Sequence, residues 1–343
     1  VYLLTSLFVS ISAVSTTGVS EAIKTDIVGI QRYLEAAVKL GDYLLTLQDP
    51  DTKSWSLPWD PNAVDCIPTF HAVITLQKLT QVTGDPKYAA VGKKALEWWL
   101  DNMFLGDEDI CSQWTWAYGG TVGQVKGWEE DEWDKCQGVF VSQYWPEKAG
   151  FEGVRACTVY LRDGVAVPAR ALVQYGMKNE DYVAALKRWF LTDLEKKRPE
   201  SGKSGYYAYM TVQTFVDTDG NRLLEIEPSY SHWGVRWQSA LMNAQAMIAL
   251  FELGMVTEAD QLGEWLIHVM YDSVTQEFYQ LFDVDRAVPL VGYASDATFS
   301  NANVAEALLV AYKYTGKGSY LDYALRVLNR LISVEAVADN NVV

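Results

Sequence analysis

The chain has 343 residues, of which 49% are apolar, so it can bury a large core and exceeds the usual size of one small domain without demanding two. Its formal net charge of −16 sets up a long-range field that repels phosphate, which works against nonspecific attraction to nucleic acid or to an anionic membrane surface. A polyanionic substrate would need a local basic pocket.

The opening run VYLLTSLFVSISAVSTTG, residues 1–18, reads as the apolar core of a secretory signal, with small residues near Ser15 to Gly18 as cleavage points. It predicts a secreted, periplasmic or cell-surface protein, with no stable membrane insertion once the signal is removed and a single domain over 19–343. Four cysteines, Cys66, Cys111, Cys136 and Cys157, follow no metal-like spacing. In an exported chain they allow one or two disulfides, with Cys111–Cys136 the first pairing to test.

A helix is expected near Glu21 to Gln48. The next stretch, WSLPWDPNAVDCIPTFHAV, carries Trp55, Trp59, Asp60 and Asp65 in a loop and His71 about one turn into the following helix. Asp65 reads as an N-cap, because a short carboxylate accepts free N–H groups at a helix start, and His71 reads as a core histidine. Residues 67–103 then form a helical hairpin, with an almost uncharged first helix, a VTGDPK turn and an amphipathic second helix. Segment 104–164 is opaque and has room for more helices. It holds Trp128, Tyr144 and the acidic run GWEEDEWDKC, which reads as a solvated face with one or two carboxylates turned toward Trp128 or Trp133.

A looser hairpin spans 165–194. The long link after it contains a predicted β-hairpin over 206–228, turning at Asp219-Gly220, and then EPSYSHWGVRW. Here Glu227, Tyr230, His232, Trp233 and Arg236 lie close in sequence, with Asn243 on the next helix. A base, an acid and a bidentate cation suit proton abstraction beside a uronate carboxylate; the plainer alternative is an ion-paired Arg236 and a loop-capping His232. A third hairpin covers 237–270. Beyond it GYASDATFSNAN has Tyr293, Asp296, Asn301 and Asn303 leading into the last inner helix, in the hairpin at 299–332, whose YTGKGS turn matches VTGDPK.

Repeated antiparallel hairpins predict an all-α fold, an (α/α)5-6 toroid with nearly uncharged inner and amphipathic outer helices. Turns within hairpins are short and links between them are long, so the long loops and the small β-hairpin gather on one face. Trp55, Trp59, Asp60, Trp128, Tyr144, Tyr207, Trp233, Tyr293, Asp296 and Asn301 form the expected substrate-binding set there, since aromatic faces with a polar rim suit a sugar chain. Tyr230, His232, Arg236, Asn243 and Glu227 form the expected catalytic set. No HExxH, GxSxG, Walker or dinucleotide motif occurs and there are three histidines, so no cofactor or metal is expected.

The hairpins LMNAQAMIALFELGMVTEADQLGEWL and ANVAEALLVAYKYTGKGSYLDYALRVL resemble those of the α/α-toroid carbohydrate-active enzymes: polysaccharide lyases, several glycoside hydrolases and glucuronyl C5-epimerase-like proteins. The likeness is one of repeat style over most of residues 30 to 332, and no catalytic motif of those families is in place. It implies an exported enzyme acting on a polysaccharide or oligosaccharide. The residues lean toward a uronate lyase or epimerase. The alternatives are a glycoside hydrolase with paired carboxylates, for which Asp60, Glu129, Asp131, Glu227 and Asp296 are available, and a noncatalytic glycan-binding scaffold. Terpene-cyclase toroids share the hairpin, but no DDxxD or DxDD motif is present.

Overall fold

A computed structural model describes residues 27–57, 60–104, 158–177, 237–290 and 294–338, shorter stretches at 115–118, 121–124, 143–145, 154–156, 204–206, 209–216 and 222–228, and a few positions between 140 and 191. The signal-like run at 1–18 and Cys111, Cys136 and Cys157 lie outside the described residues; Cys66 is the buried first residue of its helix.

The chain is an all-α toroid. Helix α1 (Ile27–Thr46) precedes a hairpin of α2 (Cys66–Thr83) and α3 (Pro86–Asn102). A π-helical turn (Leu161–Ala166) leads into α4 (Val167–Gln174), whose partner is described only at helical positions 183–184 and 186–187. The last hairpins pair α5 (Ala240–Glu252) with α6 (Val256–Trp265), and α7 (Ala294–Thr315) with α8 (Gly318–Ala338). Among the described residues this makes four helical pairs plus α1, against the expected five or six. Helices α2, α4, α5 and α7 pack side by side in that order as an inner ring, and α1, α3, α6 and α8 lie outside it.

The shared TG signature is a capping device. Gly84 and Gly316 end α2 and α7 in left-handed backbone (φ 73° and 71°), which glycine adopts without Cβ strain. The preceding threonines donate to carbonyls one turn back, Thr83 to Leu79 O at 2.6 Å and Thr315 to Ala311 O at 2.7 Å. Each also accepts the N–H two residues on, from Asp85 and from Lys317, at 3.2 Å. The tyrosine after each signature then latches onto the preceding outer helix. Tyr88 donates to Asp42 Oδ1 at 2.8 Å, and Tyr320 to Asp260 Oδ1 at 2.7 Å. Asp65 is the N-cap of α2, accepting from Ile67 N at 2.7 Å, as its sequence position predicts.

The described residues of the opaque segment are largely strands, and the rest of it, where further helices were expected, lies outside the described residues. Strands β1 (Ser56–Leu57), β2 (Asp60–Asp65), β3 (Thr115–Tyr118), β4 (Thr121–Gln124), β5 (Gln143–Trp145) and β6 (Val154–Ala156) form one sheet in the order β1-β2-β5-β6-β3-β4. Its sequence lacks the 3.6-residue period that marks a helix, and its strands are too short to show a clear alternation. The predicted hairpin is present as β8 (Tyr209–Val216) and β9 (Arg222–Pro228), running from Met210↔Pro228 to Val216↔Arg222, with β7 (Thr158–Tyr160) added on the β8 edge. No helix among the described residues is long and apolar enough to cross a membrane.

Candidate active site

Neighbouring inner helices run parallel: Arg170 of α4 meets Gln245 of α5, and one turn further along α4 and two along α5 Gln174 meets Glu252, while Gln245 and then Phe251 of α5 meet Asn303 and then Tyr314 of α7. Each is followed by a short turn, so all their N-termini face the long-loop end, where four helix dipoles place partial positive charge.

Across the axis these helices carry a buried polar network. The Arg170 guanidinium donates through Nη1 to Gln245 Oε1 and through Nη2 to Glu306 Oε1 at 3.3 Å, and its Nε lies 3.8 Å from Glu252 Oε2. Lys78 Nζ lies 3.6 Å from Glu306 Oε1. Gln245 Nε2 donates to Asn303 Oδ1 at 2.7 Å, and Asn303 Nδ2 to Phe299 O at 2.8 Å. Two cations and two carboxylates therefore balance in low dielectric, the condition under which buried charge is tolerated. Burial pulls the Lys78 pKa down, with Glu306 opposing, and pushes Glu252 up, with Arg170 opposing. Together α2, α4, α5 and α7 make a polar floor that spans the ring. These charges are the few exceptions in inner helices that are otherwise nearly free of charge, as expected. The signal lies in their spacing, His71/Thr75/Lys78 and Gln245/Glu252, which returns to one helix face every three, four or seven residues.

His71 stands on α2 two turns nearer the loops than Lys78, about 10 Å at the helical rise. It is buried, and burial first, then the charges of Arg162, Arg170 and Lys78, hold its imidazole pKa well below the usual 6.5. The ring is neutral at physiological pH, a form that can take a proton. Among the described residues no three His, Cys, Asp or Glu side chains gather as a metal site.

Three residues expected at the site do structural work. Trp55 is 3% exposed and its indole N–H donates to Leu44 O at 2.9 Å, so it packs the core rather than facing a cleft. Asn243 is fully buried; its Oδ1 accepts from Tyr206 N at 2.7 Å and its Nδ2 donates to Tyr206 O at 3.0 Å. Asn301 Oδ1 accepts from Phe278 N at 2.7 Å. Thr69 acts similarly, accepting from Trp55 N at 3.1 Å and donating to Trp55 O at 3.4 Å. Near the top of α2, α5 and α7, one polar side chain thus clamps the backbone of a long loop.

Tyr144 is half-buried on β5, its ring centroid 5.7 Å from that of Trp98. Asp60 lies in β2 rather than in a loop, Glu227 in β9 and Asp296 in α7, which begins at Ala294. Trp59, Trp128, Tyr207, Tyr230, His232, Trp233, Arg236 and Tyr293 lie outside the described residues. Sequence reading passed over Arg162, Arg170 and Glu306, because single charges inside apolar runs match no short motif.

No protein-family model matches the chain, and no curated protein does. Solved structures match its fold. Cellobiose 2-epimerase from Bacillus thermoamylovorans aligns at TM-score 0.58 and 10% identity, over 90% of this chain and 73% of that one. Cellobiose 2-epimerase from Spirochaeta thermophila aligns at 0.57 and 14%, over 91% and 72%. An inactive variant of an α-1,6-mannanase from Salegentibacter sp., in complex with an α-1,6-linked mannotetraose, aligns at 0.53 and 13%, over 88% and 70%. At these identities the likeness establishes the fold, the α/α toroid of those sugar-acting enzymes.

Proposed function

We propose that this protein is an enzyme acting on a carbohydrate, bound at the long-loop end of the toroid, and that it moves a proton at a sugar carbon, as an epimerase or uronate lyase does. His71 carries the reading. A neutral imidazole on an inner helix, set between the polar floor and the loops, can accept a proton, and the positive charge of Arg162, Arg170 and Lys78, which weakens it as a base, would stabilise an oxyanion product. The four helix N-termini favour the same developing charge. Tyr230, His232 and Arg236, in the loop entering α5, supply an acid and a carboxylate clamp in this scheme. The toroids of cellobiose 2-epimerase and α-1,6-mannanase support a sugar as the ligand.

The test is a panel of reducing sugars, oligosaccharides and uronate polymers in D2O, followed for solvent deuterium at carbon, for unsaturated uronate absorbance and for new reducing ends. Deuterium uptake or unsaturated product is expected, and His71→Asn should lower that rate by about 10²–10⁴-fold. Because the imidazole stays neutral below pH 6.5, the acid limb of the wild-type rate should also lie below that value. Reducing ends without deuterium uptake would point to a hydrolase, and sugar binding with none of the three signals to a noncatalytic module.

A further inference from the structure

Helix α2 carries Thr69, Thr75, Thr80 and Thr83, and three of these have their hydroxyls engaged. Thr69 holds Trp55, Thr80 donates to Leu76 O at 3.2 Å and Thr83 to Leu79 O at 2.6 Å. Donation to the carbonyl four residues back is the usual outlet for a threonine inside a helix. Thr75 does not use it. The residue is 1% exposed, and its Oγ1 has no hydrogen-bond partner among the described residues. A methyl group in place of that oxygen would spare the core an unpaired polar atom, so the hydroxyl costs stability where it stands.

Its position on the helix ties it to the candidate site. His71, Thr75 and Lys78 follow at intervals of four and three residues and so form one stripe, with Thr75 about 6 Å further from the loops than His71. A helical side chain leans toward the start of its helix and covers the turn before its own Cα, which sets the Thr75 hydroxyl beside His71. The charges of Arg162 on the π-helical turn, Arg170 on α4 and Lys78 on α2 all oppose a proton on the imidazole. The carboxylates of the floor face those cations, Glu306 against Arg170 and Lys78 and Glu252 against Arg170, while Asp65 of β2 caps α2 through Ile67 N. A neutral imidazole has one N–H to place, and a protonated one has two. The lone pairs of a hydroxyl can receive the second without disturbing the balance of charge.

We propose that Thr75 is a positioning residue of this site, whose hydroxyl accepts the N–H that His71 gains on taking a proton and so holds the imidazolium above the floor. This role rests on His71 acting as the base. Magnetic-resonance titration of the full chain, with the His71 signals assigned by their loss in His71→Asn, reads it without a substrate. Thr75→Val keeps nearly the same shape and removes the acceptor. It should lower the His71 midpoint by about one pH unit, an about tenfold loss of proton affinity, and Thr75→Ser should restore the wild-type midpoint. On a sugar that reacts, Thr75→Val should cut kcat about tenfold and leave KM unchanged, because the bond forms only as the proton moves. A midpoint unchanged or raised in Thr75→Val would overturn the role, and so would Thr75→Ser behaving like Thr75→Val. If the titration shifts as expected while no sugar reacts, the contact between the two side chains stands and the reading of His71 as a catalytic base fails.

Discussion

Single side chains that bond to backbone do more here than their number suggests. Asn243 closes both bonds of one loop residue, Tyr206, inside the core. Asn243→Leu should cost about 2–4 kcal/mol in denaturant unfolding, because it leaves a buried N–H and a buried carbonyl unpaired. Asn301 on α7 holds Phe278 N in a comparable place. His71 makes a prediction with a sign. Its folded pKa lies below the unfolded 6.5, so between those values the unfolded chain binds more protons. Stability from this residue is complete above pH 6.5 and falls as pH drops toward the folded value, by at most about 1.4 kcal/mol per pH unit. His71→Phe should flatten that part of a stability–pH curve. Sequence alone placed Asp65 as a cap and His71 in the core, since both readings need only local neighbours. It could not assign Asn243 or Asn301, because their partners are backbone atoms of distant loops.

At the level of elements, the repeated unit was legible because it is local in sequence. The TG signature, the short turn and the tyrosine four residues after the glycine fall within one window, and the structure gives each a task. Gly263→Ala tests the latch. The added methyl would sit 2.6 Å from the Tyr320 hydroxyl and 2.8 Å from Cε1, so the ring must move, and calorimetry should record a loss of about 1–3 kcal/mol. Gly254→Ala meets no neighbour within 4 Å but sits at φ 80°, and should cost only about 1 kcal/mol through backbone strain. The sheet that β1 and β2 form with the strands between α3 and the π-helical turn was not legible. Its strands are three to six residues long apart from β1, and β3 pairs in parallel with β6 across a long stretch of chain. Neither property leaves a periodic trace.

For the whole molecule, the decisive feature is the floor that ties α2, α4, α5 and α7 through Arg170, Lys78, Glu252 and Glu306. Arg170→Met removes one cation and leaves Glu306 and Glu252 buried with Lys78 alone. A loss of about 3–5 kcal/mol is expected from chemical denaturation. Adding Glu306→Leu should recover part of that loss, since the second change removes the stranded charge, and a double-mutant cycle would report the coupling. An all-α ring could be read from hairpins in series, whereas the floor could not, because it exists only once four helices far apart in sequence meet.

The clamps at the tops of the inner helices carry a consequence for how such a barrel diversifies. Thr69, Asn243 and Asn301 grip main-chain atoms, which every amino acid supplies, so the grip does not depend on what the loop spells. A loop can be lengthened, shortened or rewritten around its anchored residue while its root stays fixed over the ring. New substrate preferences can then be installed on an unaltered barrel, and loop grafts between toroids that keep these three side chains should fold.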